Sequence, residues 1–291
     1  MSLGIVVKGT EGIVLAADSR VTLTAVLQQQ GAAANTPQLQ IPVNFDNATK
    51  LLTFGKPNKW IGAVTYGEAV IGTTPTDLRT AQSFVPEFES GLDPEERLTV
   101  AQFSNRLSEF FLRQWQERMP QDHPGPGMTF VVAGFDEDKP YGSVYLFNIP
   151  KQAEPAERSP NDFGVTFGGQ REITERILRG YDDRVLTIVR NTFHAPMGQM
   201  DVLQKALGPL QLTIPFHLLP LQDCIDLAIF LIRTTTTAQN LSIGIRGVGG
   251  AIDVAVITKR DGLTIIQRKE LAGEKGTIQR RGKAYEPDDD D

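Results

Sequence analysis

MSLGIVVKGTEGIVLAADSR, residues 1–20, contains two short runs rich in Ile and Val, Leu3 to Lys8 and Gly12 to Ala17, joined by Gly9-Thr10-Glu11-Gly12. This pattern predicts two paired strands with a tight turn between them. A buried hairpin that starts at residue 3 leaves no room for a flexible leader, so Ser2 is expected to be fixed at the end of a core strand. Rigid placement suits a nucleophile. Because Ser2 is small, trimming of Met1 is expected. The exposed α-amine, with a solution pKa of about 7.7 to 8.0, can then act as base for the neighbouring hydroxyl.

Two further stretches stand in order behind GIVLAADSRVT (12–22): NATKLLTF (47–54) and IGAVTYGEAVIG (61–72). Together the three resemble the early segments of proteasome β-type subunits and their bacterial relatives, a branch of the N-terminal-nucleophile hydrolases. The resemblance is specific over about residues 2 to 90 and continues beyond only in element order. It implies Ser2 in place of the family's nucleophilic threonine, Asp18 and Arg20 in its aspartate and arginine positions, and Lys50 as its lysine. The last assignment treats Val21 to Phe45 as an insertion. By the same resemblance Lys50 lowers the hydroxyl's pKa, Asp18 holds Lys50, and Arg20 supports Asp18 and the strand end. A backbone N–H near Val64 becomes the oxyanion donor. Gly62, Tyr66, Ala48 and Leu52 border the pocket for the acyl-side residue.

Two family features are absent. The later catalytic serine falls on Gly168-Gly169-Gln170, and an Asp and Ser before the penultimate strand fall on Ile245 to Gly249. Taken singly, Asp18, Arg20 and Lys50 also read as a salt-bridged strand terminus. The resemblance implies a peptidase or amidohydrolase, self-assembled into rings or helical stacks and acting on peptides or proteins, with the question of an ATP-dependent unfoldase left open. The alternatives are a weak or silent assembly homologue and a small-molecule amidase.

The chain has 291 residues, 40% hydrophobic and 22% charged, as expected for one globular domain. No apolar run reaches the eighteen or so residues of a membrane span, and the start lacks the order of a signal peptide. A cytoplasmic protein is expected. Cys224, the single cysteine, excludes an internal disulfide framework. A net charge of -6, due in part to Asp288 to Asp291, argues against nucleic acid as partner. An acidic tail at about 284–291 is expected to be disordered.

Residues 21–45 show no clear period and read as a flap at the site or as a surface loop without function. Lys50 to Phe54 and Trp60 to Tyr66 read as strands continuing the first sheet. Helices are expected over Thr76 to Phe88 and Val100 to Met119, where Phe103, Leu107, Phe110, Phe111 and Trp115 recur at helical spacing. Strands follow at Met128 to Phe135 and Gly142 to Phe147, with Asp136 to Lys139 as a solvated turn instead of a cation site. Another strand covers Phe163 to Phe167, and a helix runs to about Tyr181, the glycines between them leaving N–H groups free at the helix start.

Short helices fill 182–219, and a long one covers Leu221 to Gln239, closed by four threonines. Strands end the chain at Ile252 to Thr258 and near Leu263 to Gln267. Grouped strands, helices, strands, helices, strands give an α+β fold instead of alternating βαβ. The resemblance makes it a four-layer αββα sandwich. No G-x-S-x-G elbow is present, and His123, His194 and His217 stand near prolines without a motif. His-based catalysis, a metal and a cofactor are therefore not expected, whereas an N-terminal nucleophile needs no histidine.

Overall fold

The computed structural model describes residues 2–27, 39–74 and 76–270. In chain order, β1 (Leu3–Lys8) and β2 (Ile13–Asp18) form the opening hairpin, and β3 (Val21–Leu27) pairs with β4 (Leu39–Phe45). The strands β5 (Leu51–Thr53), β6 (Ile61–Gly67), β7 (Val70–Ile71) and β8 (Arg79–Thr80) precede helices α1 (Ala81–Ser90) and α2 (Val100–Arg118). After them come β9 (Met128–Gly134), β10 (Ser143–Ile149), β11 (Gln152–Glu157) and β12 (Gly164–Gly169). Helices α3 (Glu172–Arg179), α4 (Arg184–Phe193), α5 (Met197–Ala206) and α6 (Leu221–Leu241) lead to β13 (Ile252–Thr258) and β14 (Gly262–Gln267).

Two five-stranded antiparallel sheets result, ordered β12-β1-β2-β13-β14 and β11-β10-β9-β6-β5. Both faces of β1 are buried because its alternating side chains serve two cores. Leu3, Ile5 and Val7 pack under α6, whereas Val6 packs with Leu15, Val64 and Val131 between the sheets. On the other side α1 and α2 cover the second sheet with Phe84, Phe88, Phe103, Phe110 and Phe111. The layers are thus helix, sheet, sheet, helix, and the α+β expectation holds. Cys224 belongs to the α6 core, where burial pushes its thiol up to about 11. No helix among the described residues is long and apolar enough to cross a membrane.

Several expectations need correction. The strands flanking Gly55 join the second sheet, not the first, because β6 pairs with β9 in register from Ile61↔Gly134 to Gly67↔Met128. Residues 21–45 are not an irregular flap throughout: β3 and β4 pair from Val21↔Phe45 to Leu27↔Leu39. The helix expected from Thr76 begins at Ala81, since Arg79 and Thr80 pair with Ile71 and Val70. The threonines do not close α6. Thr235 and Thr236 donate to the carbonyls of Leu231 and Ile232 at 2.9 and 3.0 Å, so their hydroxyls are satisfied inside the helix. Asp136 is buried and accepts from Val100 N–H at 2.7 Å, anchoring the start of α2 instead of standing solvated. The acidic tail at 284–291 lies outside the described residues.

Candidate active site

Ser2 sits just before β1, with a residue exposure of 4%. Two neighbouring strands hold its backbone. The Leu3 N–H donates to Asp18 Oδ1 at 2.9 Å, and the Gln170 N–H donates to the Ser2 carbonyl at 2.8 Å. Hence the Gly168-Gly169-Gln170 stretch does not offer Gln170 as a free helix-start donor. It ties down Ser2. Gly169 has φ +96, and a Cβ there would lie 1.9 Å from the Ser2 carbonyl oxygen. Only glycine permits this approach.

Asp18, at the end of β2, is the hub. Its Oδ1 accepts from Lys50 Nζ at 2.7 Å besides Leu3, and its Oδ2 accepts from the N–H groups of Arg20 and Gly249 at 3.1 and 3.0 Å. Lys50 also donates to the Arg20 carbonyl. Both members of the pair are buried, Asp18 to 1% and Lys50 to 5% exposure. Burial pushes the Lys50 ammonium below the ordinary lysine range, and the Asp18 carboxylate pulls it back up. Lys269, itself 2.5 Å from Asp253, adds a further downward push on Lys50.

The side chain of Arg20 does not reach Asp18. It forms a two-point pair with Asp46, Nε to Oδ1 at 2.6 Å and Nη2 to Oδ2 at 2.7 Å, and supports Asp18 through its backbone alone. The Arg20 hydrogen bond holds the Asp46 carboxyl below its usual range. Asp46 was not singled out in the sequence, although it lies four residues before Lys50. The glycine run at 247–250 seats this pair. A Cβ on Gly249 would lie 2.5 Å from Arg20 Cζ, and one on Gly250, at φ +72, would lie 2.4 Å from the Asp46 carbonyl oxygen.

Ser2 and Lys50 open on one small cleft, with Ala48 and Tyr66 among its walls. Gly62, Leu52 and Val64 are not among its lining residues. Leu52 packs into the core beneath α1 and α2, Gly62 abuts Leu15 and Leu263 between the sheets, and Val64 stands opposite Leu51 and Val131 in the middle of its sheet. Spacing alone does not reveal which residues of an inner strand reach its open end. Glu68, Thr65 and Ala69 do line the cleft and were not anticipated. Burial raises the Tyr66 phenol to about 12. A wider groove of about 550 Å³ lies elsewhere, between β12 and residues 208–217, and holds none of the sequence-derived site residues.

No protein-family model matches the sequence, and no curated protein matches it. Among solved structures, a Gly-1 mutant of Anbu from Hyphomicrobium sp. strain MC1 superposes with a TM-score of 0.52 at 13% identity, over 92% of this chain and 86% of that one. Anbu is proteasome-related and has the N-terminal-nucleophile hydrolase fold. At this identity the likeness extends to the fold. The antiparallel sheets and covering helices of this chain are similar to those of Anbu.

Proposed function

We propose that the protein is an N-terminal-nucleophile hydrolase that cleaves peptide or related amide bonds with Ser2, and that it acts as a homo-oligomer. The observation that carries this reading is the shared cleft of Ser2 and Lys50, with Lys50 held by the same Asp18 oxygen that fixes Leu3 N–H next to Ser2.

Removal of Met1 frees the Ser2 α-amine, which takes the hydroxyl proton as Ser2 Oγ attacks the scissile carbonyl carbon. Lys50 lowers the cost of the developing alkoxide through its positive charge, and Asp18 fixes its position. The tetrahedral oxyanion collapses, the C–N bond breaks, and the leaving amine takes the proton from the α-amine. Water, deprotonated by the same amine, then hydrolyses the seryl ester and restores the hydroxyl.

Gly67 replaces Val64 as the oxyanion donor in this reading. Thr65 N–H points toward the β5 side, to the Lys50 carbonyl at 2.9 Å, and Glu68 N–H points the other way, to Gly127 at 2.7 Å. Alternation directs the Gly67 N–H to the Lys50 side, beyond the Leu51↔Val64 pair that begins β5. Gly67 does not itself line the cleft, but it stands between Tyr66 and Glu68, which do, at the end of the strand where an N–H can face a developing negative charge.

The test is a mechanism-based acylating probe on mature protein, followed by peptide mapping. The adduct is expected on the residue-2 hydroxyl of a chain lacking Met1. An unmodified Ser2 in protein that turns over amides rejects the assignment. Parallel profiling with peptides and small amides separates peptidase from amidase.

A further inference from the structure

Among the described residues that line the cleft, two have charged side chains, Lys50 and Glu68. The charge of Lys50 is balanced by Asp18 at 2.7 Å. Glu68 has no cationic lysine or arginine partner among the described ion pairs. Its Oε2 stands 3.1 Å from His123 Nε2, and its Oε1 accepts from the adjacent Ala69 N–H at 3.3 Å. His123 is the one basic side chain against this carboxylate among the described contacts.

Three features fix this carboxylate in place. Glu68 N–H is bonded to the Gly127 carbonyl at 2.7 Å. His123 packs edge-on against Trp115, with ring centroids 5.4 Å apart. Gly125 leaves room for both groups, because a Cβ there would lie 2.3 Å from His123 Nε2 and 2.9 Å from Glu68 Oε2. The Glu68 side chain is 23% exposed, so it is reachable yet partly shielded, and its interaction with a cation is stronger than on an open surface. Val21, Ala69 and Met128 give the same cleft an apolar wall, and with about 20 Å³ of volume it must widen to admit the aliphatic stem of a long basic side chain.

We propose that Glu68 is a specificity-determining residue that selects substrates carrying a guanidinium or ammonium group beside the scissile amide, a lysyl or arginyl peptide bond being the chemical type. This rests on the hydrolase reading above for its catalytic consequence, but the cation site itself does not. The opposing feature is the start of α1, where Thr80 and Ala81 line the cleft and α1 has no side-chain N-cap hydrogen bond. Free N–H groups there would favour an anionic substrate. The preference for Arg over Glu therefore discriminates between the two.

The experiment uses the mature protein and capped peptide amides differing only in the residue before the scissile bond: Arg, Lys, Leu or Glu. Arg and Lys are expected to exceed Leu in kcat/KM by about tenfold, the worth of one charge-assisted hydrogen bond, and Glu68→Gln to collapse that ratio. Glu68→Asp should restore part of it. Equal rates, or a preference for Glu, overturn the proposal. Binding of p-aminobenzamidine, followed by its fluorescence in Ser2→Ala protein, decides the cation site without turnover. Glu68→Gln in that background is expected to weaken binding about tenfold. Binding indifferent to Glu68 overturns the inference whatever the turnover. Binding that depends on Glu68 in a wild-type protein that cleaves nothing rejects the hydrolase reading and leaves the cation site standing.

Discussion

Lys50 is subject to two opposed demands. Burial favours its neutral form, while the proposed chemistry needs it charged, and Asp18 supplies the compensation. Removing either partner leaves the other buried and unpaired, which costs roughly 3–5 kcal/mol in comparable pairs. Lys50→Ala and Asp18→Asn are thus expected to lose both turnover and stability. Ser2→Ala removes a hydroxyl and no charge, so it should abolish turnover while the urea midpoint stays close to wild type. A Ser2→Ala protein that retains activity rejects the nucleophile.

The pH profile gives an independent check. Activity should rise as the α-amine loses its proton, and fall again as Lys50 loses its own. Because the Lys50 pKa is lowered, that fall should begin below the 10.5 of an ordinary lysine. Tyr66 makes stability depend on alkaline pH as well. Its phenol titrates at about 12 when folded, against 10.0 for a free tyrosine. The unfolded chain therefore ionises first, and the contribution, present below pH 10, is lost as pH rises to about 12. A difference of that size corresponds to about 3 kcal/mol. Tyr66→Phe should flatten the decline of stability over that window, as read from urea midpoints between about pH 9 and 12.

Elements with a single dominant signal were legible in the sequence. The β1–β2 hairpin, α2 with its aromatic stripe, and α6 with its apolar face lie close to where periodicity places them, because one continuous pattern decides each. Elements decided by distant partners were not. β8 is two residues long and exists through its pairing with β7, and β11 pairs with β10 across a register shift. Asp18 and Lys50 were found through the resemblance, and the geometry brings them together. Asp46 and Glu68 were missed, and Gly169 was read as part of a helix start instead of a clamp on Ser2, since each acts on a residue far away in the chain. Gly169 makes the clearest test of this scale. Gly169→Ala would place a methyl against the Ser2 carbonyl and force a left-handed backbone on alanine, so a loss of at least about 2 kcal/mol is expected. Wild-type stability in that variant would show that β12 does not clamp Ser2 as described.

For the whole molecule, the four layers bury β1, β2, β6 and β9 thoroughly, yet one region remains without a core. Neither α4 nor α5 has a buried residue. Ile188, Phe193, Met197 and Val202 are 61%, 74%, 64% and 67% exposed, and Leu210 and Leu212 near them are also exposed. Helices of ten residues are marginal alone and draw their stability from packing an apolar face. An apolar surface of this kind in solution calls for a partner. Self-association would provide one, in line with the proposed homo-oligomer. Sedimentation is expected to give a mass several times the 32.0 kDa of one chain. Ile188→Glu combined with Val202→Glu should shift it to smaller species, because each copy would bring charge to a desolvated contact. A single species at the 32.0 kDa of one chain would reject self-association. A large species indifferent to those two substitutions would place the contact on another face.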